Sequence, residues 1–224
     1  MILHRLHRRQ CFGLVQRLPG CTSGVAVVEF ALALPILMAL GTLGLETANL
    51  AVVNMRIAQV AAHVADNASR IGDGSVLENR RIYESDIIDV FDGANIHAGK
   101  EIDLFTHGRV VISSLQLDTA TNRQFIKWQR CLGDKVFPSA YGIEGKGLDG
   151  SLTGMGSSDE LVKALSGEPV IFVEVAYDYQ PLITDLLAPG KVIKAEASFL
   201  VRDKRDTTQI YQRNATKPDP VLSC

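Results

Sequence analysis

Acidic residues are missing from the first 23 positions of this 224-residue chain, which carry Arg5, Arg8, Arg9 and Arg17. Aromatic residues are sparse, and no basic stripe interleaves with them, which disfavours nucleic acid as a partner. No Cys-x-x-Cys occurs among the four cysteines. The five histidines, at 4, 7, 63, 97 and 107, lack metal-ligand spacing, so neither a metal nor a cofactor is expected. "GMGSS" (residues 154–158) is followed by no Lys and preceded by no strand, so it reads as a flexible loop rather than a phosphate cradle. Asp86, Asp89 and Asp92 recur every three residues without the alternating oxygen ligands of a calcium loop, and are expected on a solvated helix face. Ser113 and Ser114 lie mid-strand without a nucleophile elbow. These absences leave no argument for an enzyme. An anchored hydrolase with the glycine loop lining a cleft stays as the alternative.

What is present is unevenly distributed. Hydrophobic content of 46% and charged content of 21% suit a folded chain. The net charge of -2 hides a basic head and an acidic body, since 17 Lys and Arg face 22 Asp and Glu from Gly72 onward. Between them, Val25 to Leu45 holds a single charge, Glu29. Roughly 20 helical residues, rising about 1.5 Å each, cross a hydrocarbon core. The arginines on the N-terminal side put residues 1–23 in the cytoplasm and the body outside. A cleaved secretory signal ending at Ala31-Leu32-Ala33 is the alternative, but its apolar region would be short and would contain Glu29. The lipoprotein-like "LPGC" (Leu18 to Cys21) precedes the apolar run instead of following it, so that reading fails.

The helix is expected to continue past the membrane. Val53, Ile57, Val60, Val64, Ala68 and Ile71 recur at spacings of three and four, with Asn54, Arg56, Gln59, His63, Asp66 and Arg70 on the other face. Frequent alanines keep it thin enough for a neighbour's close approach, and "GDG" (Gly72 to Gly74) ends it. One helix of about 45 residues is the reading, with two helices broken near Asn49 as the alternative. In the body, "VLENRRIYESDIIDVFDGAN" has helical spacing, with Ile82, Ile87, Val90 and Phe91 inward and an end at Gly93. Arg109 to Asp118 and Arg123 to Arg130 read as a hairpin, with Phe125, Lys127 and Gln129 alternating against Ile126 and Trp128. Residues 142–158, with six glycines, form a loop, and Asp159 to Ser166 a possible short helix. Pro169 to Leu182 and Lys194 to Asp203 are the third and fourth strands. The expected fold is α+β: a long N-terminal helix, then a mainly antiparallel sheet of about four strands with short helices. The domains are a basic leader (1–23), a transmembrane and emergent helix (24–71) and a periplasmic body (72–224).

Glu29 needs a partner, because an intramembrane carboxylate costs about 2.5–3.5 kcal/mol at a helix centre and less near its boundary. Gly24 lies five positions before it, and "GVAVVEF" resembles the processing site of type IV pilin-like proteins. That resemblance implies cleavage between Gly24 and Val25 by a prepilin peptidase, a free amine on Val25, and pairing of that amine with Glu29 of a neighbour. The wider stretch "GVAVVEFALALPILMALGTLGLE" and the alanine-rich continuation resemble the TadE-like minor pseudopilins of tight-adherence (Flp) pilus machinery. Segments like "WQRC" (Trp128 to Cys131), "VEVAYDYQPL" (Val173 to Leu182) and "VRDKRD" (Val201 to Asp206) extend the resemblance over most of residues 24–224. Phe30 stands where the Flp-type motif often has Tyr. The resemblance implies a single-pass inner-membrane protein whose partners are other pilins or pseudopilins, the pilus assembly platform and inner-membrane lipid. An unprocessed, anchored periplasmic scaffold or sensor is the alternative.

Cys11 and Cys21 belong to the head, where thiols stay reduced, whereas the charge asymmetry puts Cys131 and Cys224 in an oxidising compartment. A Cys131–Cys224 bond is expected to pin a tail that contains Pro218 and Pro220. Free thiols or an intermolecular bridge are the alternatives.

Overall fold

A computed structural model describes residues 24–74, 79–183, 185 and 188–224. The arginine-rich head, with Cys11 and Cys21, lies outside the described residues. The element order is α1 (Val25–Arg70), α2 (Glu84–Ala98), α3 (Leu104–His107), β1 (Gly108–Asp118), β2 (Arg123–Leu132), β3 (Val170–Asp178) and β4 (Val192–Leu200). The chain divides into two units, one ending at Thr47 and one running from Ala48 to Cys224. α1 is a single uninterrupted helix, so the break near Asn49 is absent.

In the second unit the expected stripe is the buried one. Ile57, Val60, Val64 and Ala68 are all within 1% of full burial, while Asn54, Arg56, Gln59, His63 and Arg70 are exposed. Burying each large aliphatic side chain stabilises by about 1.5–3 kcal/mol, which is what holds this part of α1 in the body. Its C-terminal carbonyls are capped from far away in sequence. The buried Arg205 donates to the carbonyl oxygens of Ala68 at 3.3 Å, Ser69 at 2.9 Å and Ile71 at 2.7 Å. Burial lowers the guanidinium pKa to about 10, which leaves the cation charged at neutral pH.

The sheet is fully antiparallel in the order β2-β1-β3-β4. Its inner face carries Val110, Ile112, Trp128, Ile171, Val173, Val175 and Ile193 into one core with α1 and α2. The outer face carries Leu115, Ile126, Val170 and Phe172, joined by Met155 and Ala164 in a second cluster. The expected alternation in β2 fails at one point. Ser114 pairs with Trp128 and Leu115 with Ile126, so Lys127 is an extra residue in the ladder. Such a bulge reverses the facing of the residues beyond it, which is why Ile126 and Trp128 reach opposite cores.

Three local expectations are corrected. α2 starts at Glu84, because residues 80–83 are held in extended pairing. Arg81 and Asp73 exchange backbone hydrogen bonds, Tyr211 N–H donates to the Ile82 oxygen, and Glu84 N–H donates to the Tyr211 oxygen. The helix then runs through Gly93 to Ala98, since Phe91, Ala94 and Ala98 are buried on either side of that glycine. Asp86 is not solvated. Its carboxylate accepts Tyr83 N–H at 3.0 Å and pairs with Arg213 at 2.5 Å, whereas Asp89 and Asp92 are exposed as expected.

Asp159 to Ser166 is not helical. Asp159 and Glu160 lie in a turn and Ser166 in another, and between them Val162 exchanges backbone hydrogen bonds with Met155 at 3.0 and 2.7 Å. The glycine-rich segment is likewise a packed layer over the outer sheet face. Ile126 N–H donates to the Lys146 oxygen and Gly145 N–H to the Ile126 oxygen, while Gln124 fastens the 159–166 stretch through Ala164, donating to the carbonyl at 2.9 Å and accepting the N–H at 2.8 Å. Gly147 has φ +102°, and a Cβ there would overlap the Gln124 carbonyl oxygen, so glycine is required for this close approach.

Candidate functional site

The amino-terminal part of α1 gathers the sequence features that point to function. Gly24 precedes the first helical residue, Val25, and a Cβ on Gly24 would meet nothing within 4 Å. Val25 is 51% exposed and Phe30 61%. Val25 and Glu29 are four residues apart on one helix, so they share a face about one turn apart. Glu29 is exposed, with no ion-pair partner among the described residues.

Beyond this turn the first unit presents apolar side chains on every side. Val27, Val28, Leu32, Ile36, Leu37, Met38 and Leu40 are each more than half exposed. This helix is long and apolar enough to cross a membrane. Its two threonine hydroxyls are satisfied internally, as a lipid environment demands. Thr42 donates its hydroxyl to the Ala39 oxygen at 2.9 Å and Thr47 donates to the Leu43 oxygen at 2.8 Å.

The segments quoted as extending the resemblance do structural work in the body. In "WQRC", Trp128 fills the inner core and Arg130 makes a buried fork with Glu84, at 2.6 Å for Nη2 to Oε1 and 3.1 Å for Nε to Oε2. Cys131 is bonded to Cys224, with Cα atoms 5.1 Å apart. The Cys131 N–H also donates to the Leu222 oxygen at 2.8 Å, so the tail runs beside the free edge of β2. In "VEVAYDYQPL", the buried Tyr177 hydroxyl donates to the Ile102 oxygen at 2.9 Å. Asn49 of α1 donates to the Tyr179 hydroxyl at 2.9 Å. In "VRDKRD", Arg205 is the cap on α1.

No catalytic constellation emerges around the candidates raised by sequence. Ser113 is fully buried and accepts a hydrogen bond from Gln129 at 2.9 Å. The glycine segment seats Met155 in the outer core, and its Gly150, Leu152 and Thr153 also line a cavity of about 420 Å³ with Arg123, Gln124 and Lys163. A cavity of about 200 Å³ does lie on the outer sheet face, with Arg109, Val111, Phe137, Glu174, Lys194 and Glu196 among its walls. Burial pushes the Glu174 carboxyl pKa up, partly offset by hydrogen bonds from the Ser139 hydroxyl at 2.5 Å and Ala140 N–H at 2.8 Å. Those bonds fasten the 133–141 strap to β3, a role that periodicity does not reveal. Among the described residues, no group of three or more His, Cys, Asp and Glu side chains is placed to hold a metal ion.

Neither the comparison with curated proteins nor that with solved structures returns a match. The later segments lie outside the stretch that the matching family model covers. Residues 24–66, which hold Gly24, Glu29 and most of α1, match the model of the TadE-like protein family, the family that "GVAVVEF" and its alanine-rich continuation resemble.

Proposed function

We propose that this chain is a bitopic, pseudopilin-like protein that takes part in assembling a tight-adherence (Flp-type) pilus or a related secretion apparatus. The observation that carries the reading is one helix with two characters. Its first half is apolar and exposed, its second half builds the core of a folded body, and residues 24–66 match the TadE-like family. In this reading the inner membrane holds the first half, residues 1–23 are cytoplasmic and the body is periplasmic. A prepilin peptidase cuts after Gly24, and the new amine of Val25 neutralises Glu29 of a neighbouring pilin or pseudopilin. The pairing removes the cost of an unpartnered carboxylate in lipid, so it favours assembled over isolated helices. The protein acts by assembly rather than by catalysis.

N-terminal sequencing of protein purified from membranes tests the reading. A start at Val25 is expected, and Gly24→Leu should block it by crowding the scissile backbone. A chain that keeps residues 1–23 in cells with an active peptidase would sink the processing step and leave an unprocessed anchored scaffold. Cross-linking in the envelope should recover other pilins or the assembly platform.

A further inference from the structure

Two histidines that are 34 positions apart in sequence meet on the surface of the body. His63 lies on the polar face of α1, and His97 occupies the last turn of α2. Their ring centroids are 4.1 Å apart at an interplanar angle of 55°. Both residues are exposed, and neither ring makes a hydrogen bond to a described protein group.

We propose that His63 and His97 form a two-imidazole chelate for a divalent transition cation of the copper–zinc class, clamping α1 to α2. With a cation about 2.0–2.1 Å beyond each ligand nitrogen, tetrahedral coordination sets two imidazole centroids roughly 5 Å apart. Rings now centred 4.1 Å apart reach that arrangement by opening through rotation about their side-chain bonds. The donor set decides the class of cation. Imidazole suits copper, nickel and zinc, whereas calcium and magnesium need several oxygen ligands. No carboxylate joins the two rings in a larger ligand group among the described residues, so water completes the coordination sphere.

The test uses the full chain in detergent, with His4, His7, Cys11 and Cys21 replaced so that the head does not compete for metal. Copper(II) and zinc(II) are titrated calorimetrically, and thermal unfolding is followed with and without each ion. One ion per chain is expected, with an upward shift of the unfolding midpoint and no competition from magnesium. His63→Asn and His97→Asn should each weaken binding by about tenfold or more and abolish the shift. The double variant should bind no more weakly than either single one. Metal binding that both single variants leave unchanged overturns the proposal, as does an unsubstituted pair that neither binds nor is stabilised by either ion.

Discussion

Removing Arg130 should be among the most damaging single changes in the body. Its side chain is 10% exposed and that of Glu84 5%, so both charges are largely withdrawn from water. Arg130→Met leaves the Glu84 carboxylate buried without its cation, a change that typically costs about 3–5 kcal/mol. That is a large share of the roughly 5–15 kcal/mol by which a native domain is stable. Glu84→Leu should cost less, because Arg130 keeps the Gln129 carbonyl at 2.8 Å and Glu144 at 3.4 Å. The double variant Arg130→Met/Glu84→Leu removes both charges and should recover much of the single loss, since apolar replacements of buried pairs are often near neutral. Urea unfolding of the detergent-solubilised chain, with the disulfide intact and followed by circular dichroism, measures all four members of this cycle. The reasoning fails if Arg130→Met costs under about 1 kcal/mol, or if the double variant is as unstable as the sum of the two singles.

Four further outcomes are expected. Cys224→Ser opens a bond between residues 93 apart, for which the chain-entropy model gives up to about 4.7 kcal/mol, read as a lower urea midpoint. Gly147→Ala should destabilise by more than about 1 kcal/mol through its positive φ and the Gln124 carbonyl, and proteolysis within residues 142–168 should quicken. Hydrogen bonds from Thr208 and then Tyr211 hold the Asp206 pKa below its ordinary 3.8, so its stabilisation is present above that value and lost as pH falls further. An acid titration of the melting temperature should therefore be flatter in Asp206→Asn. Glu29→Ala should insert at least as well as the parent while impairing piliation, and normal pilus numbers would remove Glu29 from its pairing role.

The long helix was legible because its causes are local: hydropathy over Val25 to Leu45, then a three-and-four spacing from Val53 to Ile71. The hairpin and the third and fourth strands followed from period-two alternation and β-branched runs in the same way. The cysteine pairing followed from compartment reasoning, and the structure joins Cys131 to Cys224. The TadE-like family model matches residues 24–66, a contiguous stretch that needs no fold to be read.

Tertiary structure decided what depends on distant partners. Ile82 has the spacing of a helix residue, but backbone pairing with Tyr211 holds it extended. Ile126 and Trp128 look like neighbours on one face until the extra Lys127 turns them to opposite cores. The glycines of 142–158 suggested a flexible loop, because glycine reports backbone freedom and says nothing of the close approach that uses it. Arg130 and Glu84, 46 residues apart, and His63 and His97, 34 apart, carry no mutual signal in a single sequence. Periodicity reports which face of an element is apolar, a property of each segment alone. Which polar groups meet is set by the packing of segments on one another, and only the folded chain brings those pairs together.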